Sequence, residues 1–160
     1  MPEMNSESFS LRPATEDDLP LVLEIERVSY KRPWSREAFF EEMTRPYSQF
    51  LVLTDDETDN LVAAYVVYWL LFEECHILNV AVHLQWRGLG FAERLVRKAI
   101  DDALRKNMKR VFLEVRKSNA AATALYQKLG FFIDHIKPRF YEDGEDAYFM
   151  VLFLQKQNTF

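Results

Sequence analysis

The run Asn79-Val-Ala-Val-His-Leu-Gln-Trp-Arg-Gly-Leu-Gly-Phe-Ala92 constrains this chain more than any other stretch. An apolar strand pattern leads into a turn with two glycines, and helical spacing begins at once beyond it. A strand feeding a helix in this way is the first half of a crossover, so a mixed α/β fold is expected. The first N–H groups of such a helix have no intrahelical acceptor and lie at the positive end of the macrodipole. The turn is therefore a candidate phosphate site that needs neither a lysine nor a metal.

Two familiar phosphate motifs fail on the residues. A P-loop requires Gly-Lys-Ser/Thr after its spacer, and nothing of that kind follows Gly88 or Gly90. A dinucleotide fingerprint requires an acidic residue about 20 positions on, which here falls inside the strand pattern of Lys109 to Glu114. What remains is Arg/Gln-x-x-Gly-x-Gly/Ala, readable as Gln85, Gly88, Gly90 or as Arg87, Gly90, Ala92. The second register suits a strand that ends at Val82, because the loop then has room to turn.

At 160 residues, with 49% apolar and 14% aromatic content, one domain with a substantial core is expected, spanning 9–155 with short tails at 1–8 and 156–160. A net charge of −5 argues against direct nucleic-acid binding. Cys75 is the single cysteine, so no internal disulfide is possible and a cytoplasmic setting is expected. No secretory h-region precedes Phe9, and the apolar run Leu61 to Phe72 is too short for a bilayer, so no membrane association is expected. His76, His83 and His135 have no metal-ligand spacing, and no metal is expected. Cys75 reads as a small buried residue rather than a nucleophile.

Phe9 to Arg12 reads as a strand, Thr15 as a cap before Glu16-Asp-Asp18, and Leu19, Val22, Leu23, Ile25 and Val28 as a helix face. Ser35 caps a second helix through about Met43, with Phe39, Phe40 and Met43 facing inward. Gln49 to Thr54 and Leu61 to Leu71 form a hairpin across 55–60, and Ile77 to Val82 continues the sheet. Leu89, Ala92, Leu95, Val96, Ala99 and Ala103 line the crossover helix, opposite Glu93, Arg97, Lys98, Asp101 and Asp102. Val111 to Arg116 returns as a strand, Asn119 caps a helix to Leu129, Gly130 ends it, and strands follow at Phe131 to Ile136 and Ala147 to Leu154. The expected order is β-α-α-β-β-β-α-β-α-β-β.

Leu113-Glu-Val-Arg-Lys-Ser-Asn-Ala-Ala-Ala-Thr-Ala-Leu-Tyr-Gln-Lys-Leu-Gly-Phe131 resembles the second signature of the GNAT superfamily of N-acetyltransferases. Pro33-Trp-Ser35, Asn79-Val-Ala-Val82 and Tyr141-x-x-Gly-Glu-Asp-Ala147 extend the likeness over most of the chain. The wording is most similar to the bacterial RimI-type subfamily, which acetylates alanine termini of ribosomal proteins. The resemblance implies a single-domain GNAT fold with a mixed, mostly antiparallel central sheet, flanking helices and a splayed pair of central strands.

It also implies acetyl-CoA as cosubstrate and direct attack by a protein N-terminal α-amine, the alanine end of a ribosomal protein, in a ternary complex. By itself Glu114 reads as a solvent-facing strand glutamate balanced by Arg116; the resemblance implies a general base, acting directly or through water. By position Tyr126 is a core aromatic beside Leu125 and Leu129; the resemblance implies a donor to the departing thiolate. Val80, Ala81 and Val82 are implied to pair with the pantetheine arm through their backbone. Arg87, Gly88, Leu89, Gly90, Phe91, Ala92 and Glu93 are implied to hold the pyrophosphate, the Glu93 carboxylate pointing to water, with Asn119 and Tyr126 also touching the cofactor. Trp34 and Tyr141 are implied substrate contacts on the loops Tyr30 to Ser35 and Arg139 to Asp146, and Phe140 stands where relatives often have a second tyrosine. Glu142, Asp143, Glu145 and Asp146 read either as a solvated acidic turn or as a negative field for a cationic amine. A lysine or small-molecule amine acceptor is the alternative within the class. A non-catalytic acyl-CoA-binding module is the alternative outside it, and retention of Glu114 and Tyr126 counts against that. A monomer is the default expectation.

Overall fold

The computed structural model describes residues 8–58 and 61–154. The expected tails, apart from Ser8, and Asp59 and Asn60 of the hairpin turn lie outside the described residues. In chain order the elements are β1 (Phe9–Pro13), α1 (Leu19–Ser29), α2 (Arg36–Thr44), β2 (Ser48–Asp55), β3 (Val62–Leu71), β4 (Glu74–Val82), α3 (Phe91–Arg105), β5 (Arg110–Arg116), α4 (Ala120–Lys128), β6 (Phe132–Lys137) and β7 (Ala147–Phe153). Short 3-10 turns lie at Glu16–Asp18 and Leu84–Trp86. The strand order is β1-β2-β3-β4-β5-β7-β6, and the β4–β5 pair is parallel. This is the expected element order and a mostly antiparallel mixed sheet. The chain divides into two compact units, one of the described residues up to Tyr68 with Asn79–Val96, the other of Trp69–Leu78 with the described residues from Arg97 onward.

In the first unit β1 runs antiparallel to β2, from Phe9 opposite Asp55 to Pro13 opposite Leu51. The Asp18 carboxylate accepts from the Thr15 N–H at 2.7 Å and from both Arg12 guanidinium nitrogens at 2.7 Å. Burial raises its pKa, but these donors outweigh burial and hold the carboxyl below its ordinary range. On α1, Leu19, Val22 and Ile25 are fully buried as expected, whereas Val28 is exposed. Glu26 takes the place on the buried stripe that Val28 was expected to share. On α2, Ser35 caps the helix by accepting from the Ala38 N–H at 3.1 Å. Phe39 is buried against Phe50 and Tyr65, while Phe40 lies outside the core and Glu42, paired with Arg45, lies inside it. The first turn of α3 is anchored by Phe91, whose ring meets Phe9 at 4.8 Å. Leu89, expected on that face, is exposed because it stands before the helix, between two glycines of positive φ.

Glu26 is the polar centre of this unit. Its buried carboxylate accepts from the Tyr65 hydroxyl, from Asn79 Nδ2 at 2.9 Å and from the Trp34 N–H at 3.2 Å. One side chain thus ties α1 to β3, to β4 and to the loop after Tyr30.

In the second unit β5 pairs antiparallel with β7 from Arg110 opposite Phe153 to Arg116 opposite Ala147. β6 lies on the other side of β7 with an irregularity between Ile133 and His135. β3 and β4 are joined through Phe72 and Glu73, both at positive φ (51° and 62°), a two-residue turn of the kind that connects antiparallel neighbours. The turn starts β4 three residues earlier than expected. It sets Glu74, Cys75 and His76 in parallel register with Arg110, Val111 and Phe112.

Replacing Glu26 by alanine leaves two buried donors and the half-buried Trp34 N–H without this acceptor, and a loss of about 3 kcal/mol in urea-unfolding stability is expected. Burial outweighs the three hydrogen bonds and raises the Glu26 pKa in the folded state, so its ionisation weakens the fold as pH climbs from the ordinary carboxylate range through the raised value. Across that interval wild type is expected to lose stability relative to Glu26→Gln; parallel pH profiles for the two proteins would contradict this assignment.

Candidate active site

In the first unit β4 ends at Val82, and the 3-10 turn Leu84–Trp86 follows, capped by His83 Nδ1, which accepts from the Gln85 N–H at 3.0 Å. This is the longer loop that the Arg87, Gly90, Ala92 register requires. Gly88 and Gly90 have φ of +83° and +81°, with no atom near where a Cβ would lie. Glycine is therefore required by the backbone conformation, and a ligand can approach the main chain closely. The Arg94 N–H bonds the Gly90 carbonyl at 3.0 Å, so the N–H groups of Phe91, Ala92 and Glu93 precede the first intrahelical bond of α3. Such a turn suits a diphosphate. Arg87 is fastened beside it, donating to the Val82 carbonyl at 3.1 Å and to Ser29 Oγ at 3.2 Å.

Along β4 the Ala81 side chain is buried, and those of Val80 and Val82 are partly exposed on the opposite face. The Val80 carbonyl accepts from the Tyr30 hydroxyl. Trp34 is partly exposed, with its ring 5.1 Å from Phe39 and its N–H held by Glu26.

In the second unit Glu114 is not a solvent-facing residue balanced by Arg116. Its side chain is 13% exposed, with Oε2 2.8 Å from His76 Nε2 and Oε1 2.9 Å from Lys137 Nζ. Burial pushes its pKa up, yet the hydrogen bonds and charges of His76 and Lys137 outweigh burial and lower it. Glu114 is thus a carboxylate across the neutral range. The His76 ring stacks on Phe112 at 4.3 Å and meets Trp69 edge-on at 6.0 Å. The Lys137 ammonium lies 4.7 Å from the Phe149 ring and 5.2 Å from Phe140. Neither His76 nor Lys137 was read from the sequence as part of a site. The only available signal was that Glu74-Cys-His76 could extend the following strand.

Arg116 is engaged elsewhere. It bonds Asp143 at 2.8 and 3.0 Å and Glu145 at 2.9 Å, and its guanidinium sits 4.0 Å over the Tyr141 ring. Glu145 also accepts from the Ser118 N–H, and Asp146 from the Arg139 N–H, both at 2.9 Å. Three of the loop's acidic residues, Asp143, Glu145 and Asp146, hold the loop together, and Arg116 offsets part of its charge. Tyr141 stays partly buried, and burial pushes its hydroxyl up to about 12 against the opposing pull of Arg116.

Tyr126 lies buried on α4 with its ring 5.7 Å from Phe131, and burial pushes its phenol up to about 12. It is a neutral hydroxyl that can donate a hydrogen bond. Asn119 caps α4, its Oδ1 accepting from the Ala122 N–H at 3.1 Å, which leaves the amide nitrogen for any further contact. Cys75 is fully buried, and burial pushes its thiol up to about 12, far from the reactive thiolate form. Among the described residues no group of three histidine, cysteine or carboxylate side chains could hold a metal, and no helix is long and apolar enough to cross a membrane.

The acetyltransferase (GNAT) family model matches residues 19–131. The chain is 36% identical over 136 residues to the putative ribosomal protein bS18-alanine N-acetyltransferase of Bacillus subtilis, covering 84% of this chain and 88% of the relative. It is 33% identical over 138 residues to the bS18-alanine N-acetyltransferase of Salmonella typhimurium, covering 84% and 90%. The crystal structure of the ribosomal-protein-S18-alanine N-acetyltransferase from Escherichia coli superposes with a TM-score of 0.81 at 29% identity, over 95% of this chain and 99% of that one. The family match runs over most of the length, and relatives above 30% identity cover more than four-fifths of the chain: the chain belongs to the acetyltransferase (GNAT) family.

Proposed function

We propose that this protein carries an acetyl group from acetyl-CoA to the α-amine at a protein N-terminus, the alanine end of a ribosomal protein, by direct attack in a ternary complex. The proposed setting is the cytoplasm. The observation that carries the chemistry is the Glu114 carboxylate, kept ionised beside His76 and Lys137. The choice of acceptor is supported by a relative at 33% identity named as the alanine N-acetyltransferase of ribosomal protein bS18, and by one at 36% whose name gives the same activity as putative. An α-amine also suits a base of this kind. Its ordinary pKa, about 8, leaves a usable neutral fraction at neutral pH, whereas a lysine amine near 10 is almost wholly protonated.

When bound, acetyl-CoA supplies an activated acyl carbon and a thiolate leaving group. The Gly88 to Glu93 turn binds its diphosphate through main-chain N–H groups, with Arg87 alongside, and Asn119 offers its amide nitrogen. The backbone of Val80, Ala81 and Val82 pairs with the pantetheine amides, and a neighbouring N–H steadies the oxyanion. Trp34 and Tyr141 shape the approach of the peptide terminus. The Glu114 carboxylate serves the removal of the proton from the attacking nitrogen. Tyr126 donates a hydrogen bond to the departing sulfur; a phenol near 12 keeps its proton against a thiol whose ordinary pKa is about 8.5, so it stabilises the thiolate without being deprotonated.

The deciding experiment is a peptide panel incubated with acetyl-CoA and read by mass spectrometry. Peptides with a free N-terminal alanine are expected to gain one acetyl group, and the same peptides with a blocked terminus none. Acetylation of a lysine in the blocked set would overturn the α-amine assignment. Acetyl-CoA binding by calorimetry without thiol release would overturn the catalytic one.

Glu114→Gln is expected to lower kcat by about 100-fold or more with acetyl-CoA affinity nearly unchanged. Tyr126→Phe, which removes one hydrogen bond to the leaving sulfur, is expected to lower kcat by about tenfold. Steady-state kinetics beside calorimetry measures both, and full activity in either variant removes that residue from the mechanism.

A further inference from the structure

We infer that His76 is the group that takes the proton from the attacking amine, and that Glu114 acts behind it as the carboxylate fixing its tautomer. This rests on the reading of the protein as an acetyltransferase for a primary amine, and it assigns the proton path within that reading.

Both oxygens of Glu114 are already engaged, Oε2 by His76 Nε2 at 2.8 Å and Oε1 by Lys137 Nζ at 2.9 Å. A carboxylate with an ammonium on one oxygen is a poor acceptor for a further proton. His76 meets the opposite condition. Its Nε2 faces an anion and so carries the hydrogen and donates it, which leaves the lone pair of the neutral ring on Nδ1. Among the described residues no hydrogen bond engages Nδ1, and the side chain keeps 21% of its surface open. Phe112 stacks on the ring at 4.3 Å and Trp69 meets it edge-on at 6.0 Å, so the imidazole is packed as well as hydrogen-bonded.

The charged groups around the imidazole are few. Glu114 meets it from β5, with Lys137 of β6 beyond that carboxylate. On its own strand Glu74 is paired with Arg110 of β5 at 2.9 Å. A proton arriving at Nδ1 makes an imidazolium whose charge is met directly by Glu114.

In the transfer step the amine nitrogen bonds the acyl carbon, the carbon–sulfur bond breaks, and the thiolate leaves with the electron pair. The proton lost by nitrogen goes to Nδ1 of His76. Nδ1 then releases it to solvent, and solvent returns a proton to the thiolate.

The test pairs a measurement on the resting protein with one on turnover. Nitrogen-15 NMR of histidine-labelled protein at pH 8 is expected to show His76 protonated at Nε2; a hydrogen on Nδ1 would overturn the assignment. The variant is His76→Gln, whose amide can still donate to Glu114 but cannot take a proton. In the variant kcat is expected to be about 100-fold lower, with melting temperature and acetyl-CoA affinity preserved. A kcat within about threefold of wild type would overturn the inference. Wild type that transfers nothing to free-terminus peptides would overturn the functional reading instead, and the tautomer would still decide how His76 is arranged.

Discussion

A carboxylate removed from water has to be met by donors, and the parallel register of β4 against β5 meets that condition for Glu114. Three residue pairs, from Glu74 with Arg110 to His76 with Phe112, bring an imidazole within hydrogen-bond distance of the glutamate two positions further along β5. The antiparallel ladders from β5 to β7 and from β7 to β6 bring Lys137 to the other oxygen. A one-residue slip in any of these registers would turn a partner to the opposite face of the sheet and leave the charge buried alone. The chemistry of the site and the pairing of these strands are in this sense one constraint.

Glu26, buried, and Glu114, half-buried, show how partner type decides the state of a desolvated acid. Each accepts from side chains on other elements, and each suffers desolvation as the largest influence on its pKa. Glu26 meets a phenol, an amide and a backbone N–H, none of which carries charge, and burial wins, so its proton is held more tightly. Glu114 meets an ammonium and an imidazole, and the balance tips the other way. The first arrangement suits a structural tie among α1, β3, β4 and the loop at Trp34. The second keeps a negative charge available at neutral pH.

Local signals in the sequence carried most of the fold. Ser35 and Asn119 cap their helices as the spacing suggests, the crossover helix buries Leu95, Val96, Ala99 and Ala103, and β4 stops at Val82. The misreadings have local causes. Hydrophobicity alone favoured Val28, Phe40 and Leu89 for the interior, yet Glu26 and Glu42 occupy buried helix positions because each finds partners there. In the candidate site, the glycine turn and Glu114 were legible because each belongs to a contiguous run. His76 and Lys137 were not, since they lie 38 and 23 positions from Glu114, and only the strand pairing brings them together. Phe72 and Glu73 hid the start of β4, because a tight turn at positive φ without glycine leaves no mark in a sequence.

Charge in the loop after β6 follows the same logic as charge in the site. Asp143, Glu145 and Asp146 each hold part of this loop. Arg116 takes Asp143 and Glu145, and backbone N–H groups of Ser118 and Arg139 take carboxylates of Glu145 and Asp146. Glu145 is held below the ordinary carboxylate range by those bonds, and the guanidinium they fix lies flat over Tyr141. Asp143 and Glu145 therefore fix one guanidinium, and through it the ring of Tyr141.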